Sequence, residues 1–128
     1  MSRKIVQSER LPKPIGPYSH AIISNGFVFT SGQLPVVPQS GKIEAGDFEG
    51  QLRQVLNNLK TVLESSGSDL TRIVKVTVFL VDLNNFATLN QVFTEYFPKE
   101  PAARSAIQVS RLPLDSLVEI EAIATVEN

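Results

Sequence analysis

The sequence predicts an α+β fold, one sheet with two helices packed on one face. Two amphipathic helical stripes, an Asn-Gly hairpin and a pair of alternating C-terminal segments together point to it. At 128 residues the chain has the length of one domain, 1–128, with enough material to bury a core without staples.

The hairpin comes first. Ile22-Ile23-Ser24 and Phe27-Val28-Phe29-Thr30 flank Asn25-Gly26, and both turn residues tolerate positive φ, so residues 22–31 read as two strands with a tight turn. Leu34 to Gly46 reads as loop, broken by Pro35, Pro38, Gly41 and Gly46. A helix is expected from Phe48 to Ser66, with Asp47 as N-cap, Gly67 after its last turn, and Phe48, Leu52, Val55, Leu56, Leu59, Val62 and Leu63 as one apolar stripe. Ile73 to Val81 reads as a strand with Val74, Val76, Val78 and Leu80 on one side and Lys75, Thr77 and Phe79 on the other. A second helix is expected over Asn84 to Phe97. Its inner stripe is Phe86, Leu89, Phe93, Tyr96 and Phe97, with Asn90 on that stripe and Pro98 as its stop. Arg104 to Val109 and Leu117 to Val126 are the last two strands. The second alternates Val118, Ile120, Ala122, Ala124 and Val126 against Glu119, Glu121, Ile123 and Thr125.

Both helices can cover only one sheet face. The other face is expected to carry Arg104, Glu119, Glu121, Lys75 and Thr77 together with Phe79, Ile123 and Ala106. That mixture is too apolar for solvent and too charged for a core, so a homo-oligomer with polar sites at the subunit seams is expected.

Composition removes several kinds of chemistry. The absence of cysteine excludes disulfides, thiolate nucleophiles and cysteine-ligated zinc, and a single histidine, His20, excludes a histidine-rich metal site. A formal net charge of −1 weighs against binding that depends on phosphate neutralisation, so a nucleic-acid partner is not expected. No stretch has the length of a membrane span. The start, Met1-Ser2-Arg3-Lys4, lacks the apolar run of a secretory signal, which makes the cytoplasm the expected location and leaves mitochondria open. There is no glycine-rich phosphate loop, so no nucleotide cofactor is expected.

The candidate site residues lie in four places. Arg104 can grip a carboxylate with two parallel hydrogen bonds, and Glu119 can hold or activate water. A surface salt bridge for Arg104 and a charged edge strand for Glu119 and Glu121 are the plain alternatives. Asn90, on an inner helical stripe, either ties down a loop or touches ligand. The turn-rich run Pro12 to His20 could hold Tyr18 over a pocket or be a packed arm. Ser31-Gly32-Gln33 ends the hairpin, where glycine lets a ligand approach the backbone. His20 reads as structural.

Several ordered stretches make the whole chain resemble the RidA/YjgF family of imine/enamine deaminases. They are Ile15-Gly16-Pro17-Tyr18-Ser19, Ser31-Gly32-Gln33-Leu34-Pro35, Asp82 to Asn90, and Ala103-Arg104-Ser105 through Leu112-Pro113 to Val118-Glu119-Ile120-Glu121-Ala122. The resemblance implies a chorismate-mutase-like fold assembled as a homotrimer, with clefts between subunits. It implies hydrolysis of 2-aminoacrylate-type enamines and imines, such as 2-iminopropanoate and 2-iminobutanoate released by pyridoxal-phosphate dehydratases, to 2-oxo acids and ammonia. By position, it gives Arg104 the substrate carboxylate and Glu119 the attacking water. Tyr18, Ser31, Asn90 and Phe86 line the cleft, Gly32 brings backbone close to the ligand, and Glu121 is structural. Neither metal nor organic cofactor is implied, and only short imino acids are expected to fit. A small-carboxylate sensor or chaperone-like trimer, or a ribonuclease-type translation inhibitor, is the alternative activity. Ala106 stands where many members carry cysteine, which removes any thiol-based regulation, and the segment 96–101 is shorter than in some members.

Overall fold

The computed structural model describes residues 2–126; Met1 of the N-terminal stretch and residues 127 and 128 of the expected domain lie outside the described residues. Among the described residues eight strands and two α-helices follow in order: β1 Lys4–Val6, β2 Ala21–Ser24, β3 Phe27–Thr30, β4 Val36–Val37, β5 Lys42–Ile43, α1 Phe48–Ser65, β6 Ile73–Leu80, α2 Phe86–Tyr96, β7 Ala103–Gln108 and β8 Val118–Thr125. Six strands form one sheet in the order β1-β2-β3-β8-β6-β7, and β4 with β5 forms a separate small hairpin.

The hairpin turn holds Asn25 at φ 54° and Gly26 at φ 80°, the doubly left-handed geometry that an Asn-Gly pair accepts at little cost. Asp47 caps α1 by accepting a hydrogen bond from the Gly50 N–H at 3.3 Å. Leu52, Val55, Leu56, Leu59, Val62 and Leu63 then pack onto Val28, Val76, Val78, Val118, Ile120 and Ala124 of the sheet, and all are fully buried. Leu89 and Val92 of α2 complete this layer. Both helices therefore cover the same face, as expected of two amphipathic stripes.

Four sequence expectations change. β1 and the β4–β5 hairpin are additional strands. They are too short to show alternation, and they form because β2 and each other supply hydrogen-bonding edges. In β6 a register shift against β8 leaves Val74 as the extra residue of a bulge, so Ile73 points into the core and Val74 is exposed. The helical stretch from Asn84 begins instead as a 3₁₀ turn, Leu83–Asn85, anchored by Asp82, whose carboxylate accepts from the Asn84 N–H. Phe86 then starts α2 exposed, and not on its buried stripe.

The fourth change decides the site. β7 pairs in parallel with β6, and Arg104 is in register with Val76, a buried residue of the helix-covered face. Arg104 and Ala106 therefore lie on the helix side, while Ala103, Ser105 and Ile107 lie on the open side. Glu119 pairs with Phe79 and lies on the open side. The expected sharing of one face by Arg104 and Glu119 is thus corrected. Neither alternate set in Ala103 to Gln108 is wholly apolar, so the phase of an edge strand comes from its pairing, not from its composition. β6 also separates β7 from β8, so the two strands joined by the proline-bearing loop do not pair with each other.

The open face mixes charged residues with exposed apolar ones. Ile5, Phe27, Phe29 and Ile107 are exposed on it, Ile5 and Ile107 by 54% and 45%. Phe27 and Phe29 stand with ring centroids 6.5 Å apart. Lys75 crosses this face to donate a 2.8 Å hydrogen bond to Ser105 Oγ. Among the described residues no helix is long and apolar enough to cross a membrane.

Candidate functional site

Arg104 emerges from β7 against the first two turns of α2. Phe86, Asn90 and Phe93 are spaced i, i+4 and i+7, so they form one stripe along the rim of that helix. The Asn90 side-chain oxygen accepts a hydrogen bond from Arg104 Nη2 at 2.8 Å. The guanidinium carbon lies 5.4 Å from the ring centroid of Phe86 and 5.0 Å from that of Phe93. Two aromatic faces and one amide thus hold the cation. Asn90 is exposed, so the buried amide expected from the stripe becomes a rim amide whose partner is Arg104. Partial burial lowers the Arg104 pKa below its ordinary value, yet no carboxylate among the described residues pairs with it. A guanidinium with one nitrogen anchored and the rest of its fork uncommitted suits an incoming carboxylate.

Glu119 has a different setting. β3 runs into Ser31-Gly32-Gln33, and Gln33 joins β8 through two backbone hydrogen bonds with Ile120, at 2.7 and 3.2 Å. That bridge lays Gly32 against Glu119. A Cβ at position 32 would stand 1.8 Å from Glu119 Oε2 and 2.7 Å from its Cδ, so only glycine leaves room for this carboxylate. Burial raises the Glu119 pKa above the usual carboxylate value, and the neighbouring charge of Glu121 adds to the rise.

The remaining candidates lie at the hairpin end and on the N-terminal arm, and Gly32 joins them to Glu119. Ser31 donates from Oγ to the Ser19 carbonyl at 2.6 Å, and its N–H donates to the His20 carbonyl, which ties the hairpin end to the N-terminal arm. Tyr18 is half exposed; its hydroxyl accepts from the Ile15 N–H at 3.2 Å, and its ring lies against Gly16. Tyr18 and Gly32 line a cleft of about 460 Å³ with Leu34 and Leu114. His20 is buried, with Nδ1 accepting from the Ser8 N–H at 3.1 Å and Nε2 donating to the Pro12 carbonyl at 2.8 Å. Both ring nitrogens are committed, so His20 is structural. Glu121 is exposed on the open face beside Thr77.

The candidates thus form two half-sites: Arg104, Asn90 and Phe86 on one side, and Glu119, Gly32, Ser31 and Tyr18 on the other. Strands β7 and β8 are two sheet spacings apart, roughly 10 Å, and the two charged groups leave the sheet from opposite faces. A small acid cannot touch both within one chain.

Two contributors were not singled out as site residues from the sequence. Phe93 is a second ring against the guanidinium, and its i+7 spacing from Phe86 was a readable signal. Leu114, held at φ 59° beside Asp115 at φ 53°, lines the Tyr18 cleft. Nothing in its residue type announces a left-handed conformation that usually goes to glycine or asparagine. Among the described residues no group of three or more His, Cys, Asp or Glu side chains is placed to hold a metal ion.

Comparison with known proteins places the chain in a family. The profile of the family described as Endoribonuclease L-PSP matches residues 8–126. A RutC family protein of Pyrococcus abyssi is 49% identical over 124 residues, covering 97% of this chain and 98% of that protein. The putative reactive intermediate deaminase TdcF of Escherichia coli is 46% identical over 125 residues, covering 95% and 96%. The crystal structure of E. coli TdcF with bound serine superposes with a TM-score of 0.91 at 44% identity, covering 97% of this chain and 99% of that one. Matches of this identity over nearly the full length, on the same helix-covered sheet, mean that the chain belongs to the RidA/YjgF family, the group described as Endoribonuclease L-PSP.

Proposed function

We propose that the protein hydrolyses short 2-imino acids, 2-iminopropanoate and 2-iminobutanoate and their enamine tautomers, to 2-oxo acids and ammonia. It would do so as a homotrimer whose clefts join the Arg104 half-site of one copy to the Glu119 half-site of the next. The observation that carries this reading is the Arg104 guanidinium, fixed by Asn90 and two rings and left without a carboxylate of its own. The open face supports assembly, since a patch of exposed Ile and Phe on that scale is normally covered. Relatives named reactive intermediate deaminases, and a serine bound in one of them, support a small amino-acid-like ligand.

In this mechanism Arg104 grips the carboxylate and orients C2 of the iminium toward a water held by Glu119. The water oxygen adds to C2 while its proton passes to Glu119, giving a tetrahedral carbinolamine. Glu119 returns that proton to the amine nitrogen, the C2–N bond breaks with its electron pair on nitrogen, and ammonia leaves as the hydroxyl gives its proton back to the Glu119 carboxylate and the C2–O double bond forms. A carboxyl with a raised pKa suits both the uptake and the return of the proton. An iminium is already electrophilic, so these steps need no metal or organic cofactor.

The test is a coupled assay in which a serine or threonine dehydratase releases the imine and semicarbazide competes for it. Wild-type protein should accelerate 2-oxo acid release, while Arg104→Ala and Glu119→Gln should not. Gel filtration should give three times the 14.0 kDa chain mass. No acceleration by folded wild type would overturn the reading. It would favour the sensor alternative, a trimer that binds small carboxylates without turnover, for which the serine-bound relative is the specific support.

A further inference from the structure

The buried stripe of α1 carries two carboxamides. Gln51 and Asn58 stand two helical turns apart among Leu52, Val55, Leu59 and Val62, and both are buried. Leucine at either place would serve packing alone, and an amide withdrawn from water is tolerated only where its groups find partners. Both amides find them on backbone. Asn58 Nδ2 donates to the Leu34 and Val36 carbonyls at 3.0 and 2.9 Å. Carbonyls only accept, so this amide has one orientation, and its Oδ1 accepts from Gln54 Nε2 at 3.0 Å. Gln51 Nε2 donates to the Ala45 carbonyl at 3.1 Å, and its Oε1 accepts from the Leu117 N–H at 2.8 Å.

The segments held in this way flank the contact between Gly32 and Glu119. Leu34 follows Gly32 and Gln33, and the two bonds of Gln33 with Ile120 lay the glycine on the carboxylate. Leu117 lies just ahead of Val118 and Glu119, where the chain enters β8. Asn58 also lines the Tyr18 cleft with Gly32 and Leu34. We propose that Gln51 and Asn58 are positioning residues of the Glu119 half-site: from α1 they fix both backbone segments, and so set how closely Gly32 covers the carboxylate. Neither amide touches a reacting atom. The water-holding role of Glu119 rests on the deaminase reading above, whereas the clamp itself does not. With one arm of the clamp cut, the segment 31–36 is free to lift from β8 and water reaches the carboxylate, which weakens the burial that raises its pKa. Glu121, the charged group that also acts on Glu119, lies on the same strand and is untouched by the cut.

The experiment uses the full chain with isotope-labelled glutamate. NMR follows the Glu119 carboxyl through a pH titration, its signal assigned by loss in Glu119→Gln, and imine turnover is measured alongside. In Asn58→Ala and Gln51→Ala the carboxyl should titrate at lower pH than in wild type. The kcat for 2-iminobutanoate should fall about tenfold, with the Kd of 2-oxobutanoate on Arg104 unchanged. Gln54→Ala, at a half-buried position that leaves no carbonyl without its donor, should move both readouts in the same direction by less, and it decides the matter if the other two fail to fold. Val62→Ala removes core volume from the same helix, so it should lower the melting temperature and leave the titration and kcat where they were. A Glu119 titration unmoved in every folded amide variant, or moved as far by Val62→Ala, overturns the clamp. A shifted titration in a protein that turns over no imine retains the clamp and removes the deaminase reading. Turnover in wild type with the titration unmoved removes the clamp and retains that reading.

Discussion

Arg104 and Glu119 leave opposite faces of one sheet, and different things hold them. Around Arg104 the work is done by side chains on a helix rim: an amide and two aromatic rings, each on its own rotamer, with the guanidinium partly open to water. Around Glu119 it is done by backbone. The Gln33–Ile120 bridge presses the Cα of Gly32 against the carboxylate, and burial shifts the proton affinity of the group. A half-site built of side chains should degrade in steps as its members are removed. A half-site built of backbone should fail all at once when the backbone acquires a side chain.

Gly32→Ala is the sharpest way to break that contrast, and the largest effect is expected there. Its Cβ must displace the Glu119 carboxylate. The atom that moves is the end of a flexible side chain, so the stability cost should stay near ~1 kcal/mol while kcat/KM falls by about 100-fold or more. Denaturant melts alongside imine turnover would show this split, and a variant that unfolds outright would mean that the glycine serves the sheet more than the site.

Arg104→Lys comes next. It keeps the charge but loses the fork and much of the stacking, so KM should rise by roughly 10- to 100-fold with little change in melting temperature. If lysine performs as well as arginine, the carboxylate is not gripped by two hydrogen bonds.

The pH dependence tests the other half-site. If the Glu119 carboxylate takes up the water proton, kcat/KM should fall as the pH drops through its raised pKa, placing the acid limb above the ordinary glutamate range. Glu121→Gln removes the like charge that contributes to the rise, so the limb should move to lower pH. Linkage fixes a companion sign. A carboxyl whose folded pKa lies above its unfolded value favours folding at low pH, and that contribution is lost as pH rises through the folded pKa. Glu119→Gln should therefore be more stable than wild type above that pH and not below it. A pH-independent stability difference would contradict the burial argument.

Asn90→Ala should have the smallest effect. One hydrogen bond to the guanidinium disappears while both rings remain, so KM should rise only about three- to tenfold, roughly 1 kcal/mol. A loss as deep as that of Arg104→Ala would mean that the rim does not degrade in steps after all.

Much of this could be read from residues in order. The Asn25-Gly26 turn, the Asp47 cap and the α1 stripe are local signals, and each appears where the spacing placed it. The alternation of the last strand also held, because β8 is flanked on both sides and its core face is wholly apolar. The phase of β7 could not be read this way. It is an edge strand in which Arg104, Ser105 and Ala106 satisfy neither pattern, and its pairing with β6 decides which way Arg104 points. Val74 escaped for a related reason: a bulge inserts one residue, and alternation read in sequence has no mark for it.

The chain by itself determined the residue types of the site, the fold class and the family, because apolar periodicity, turn chemistry and ordered motifs are properties of neighbours along the sequence. Only the tertiary structure decided that Arg104 and Glu119 stand on opposite faces, that Gly32 lies against the Glu119 carboxylate, and that a groove opens beside Arg104. Those facts depend on hydrogen-bond register between strands far apart in the chain. A shift of one residue there reverses every side chain without altering a letter of the sequence.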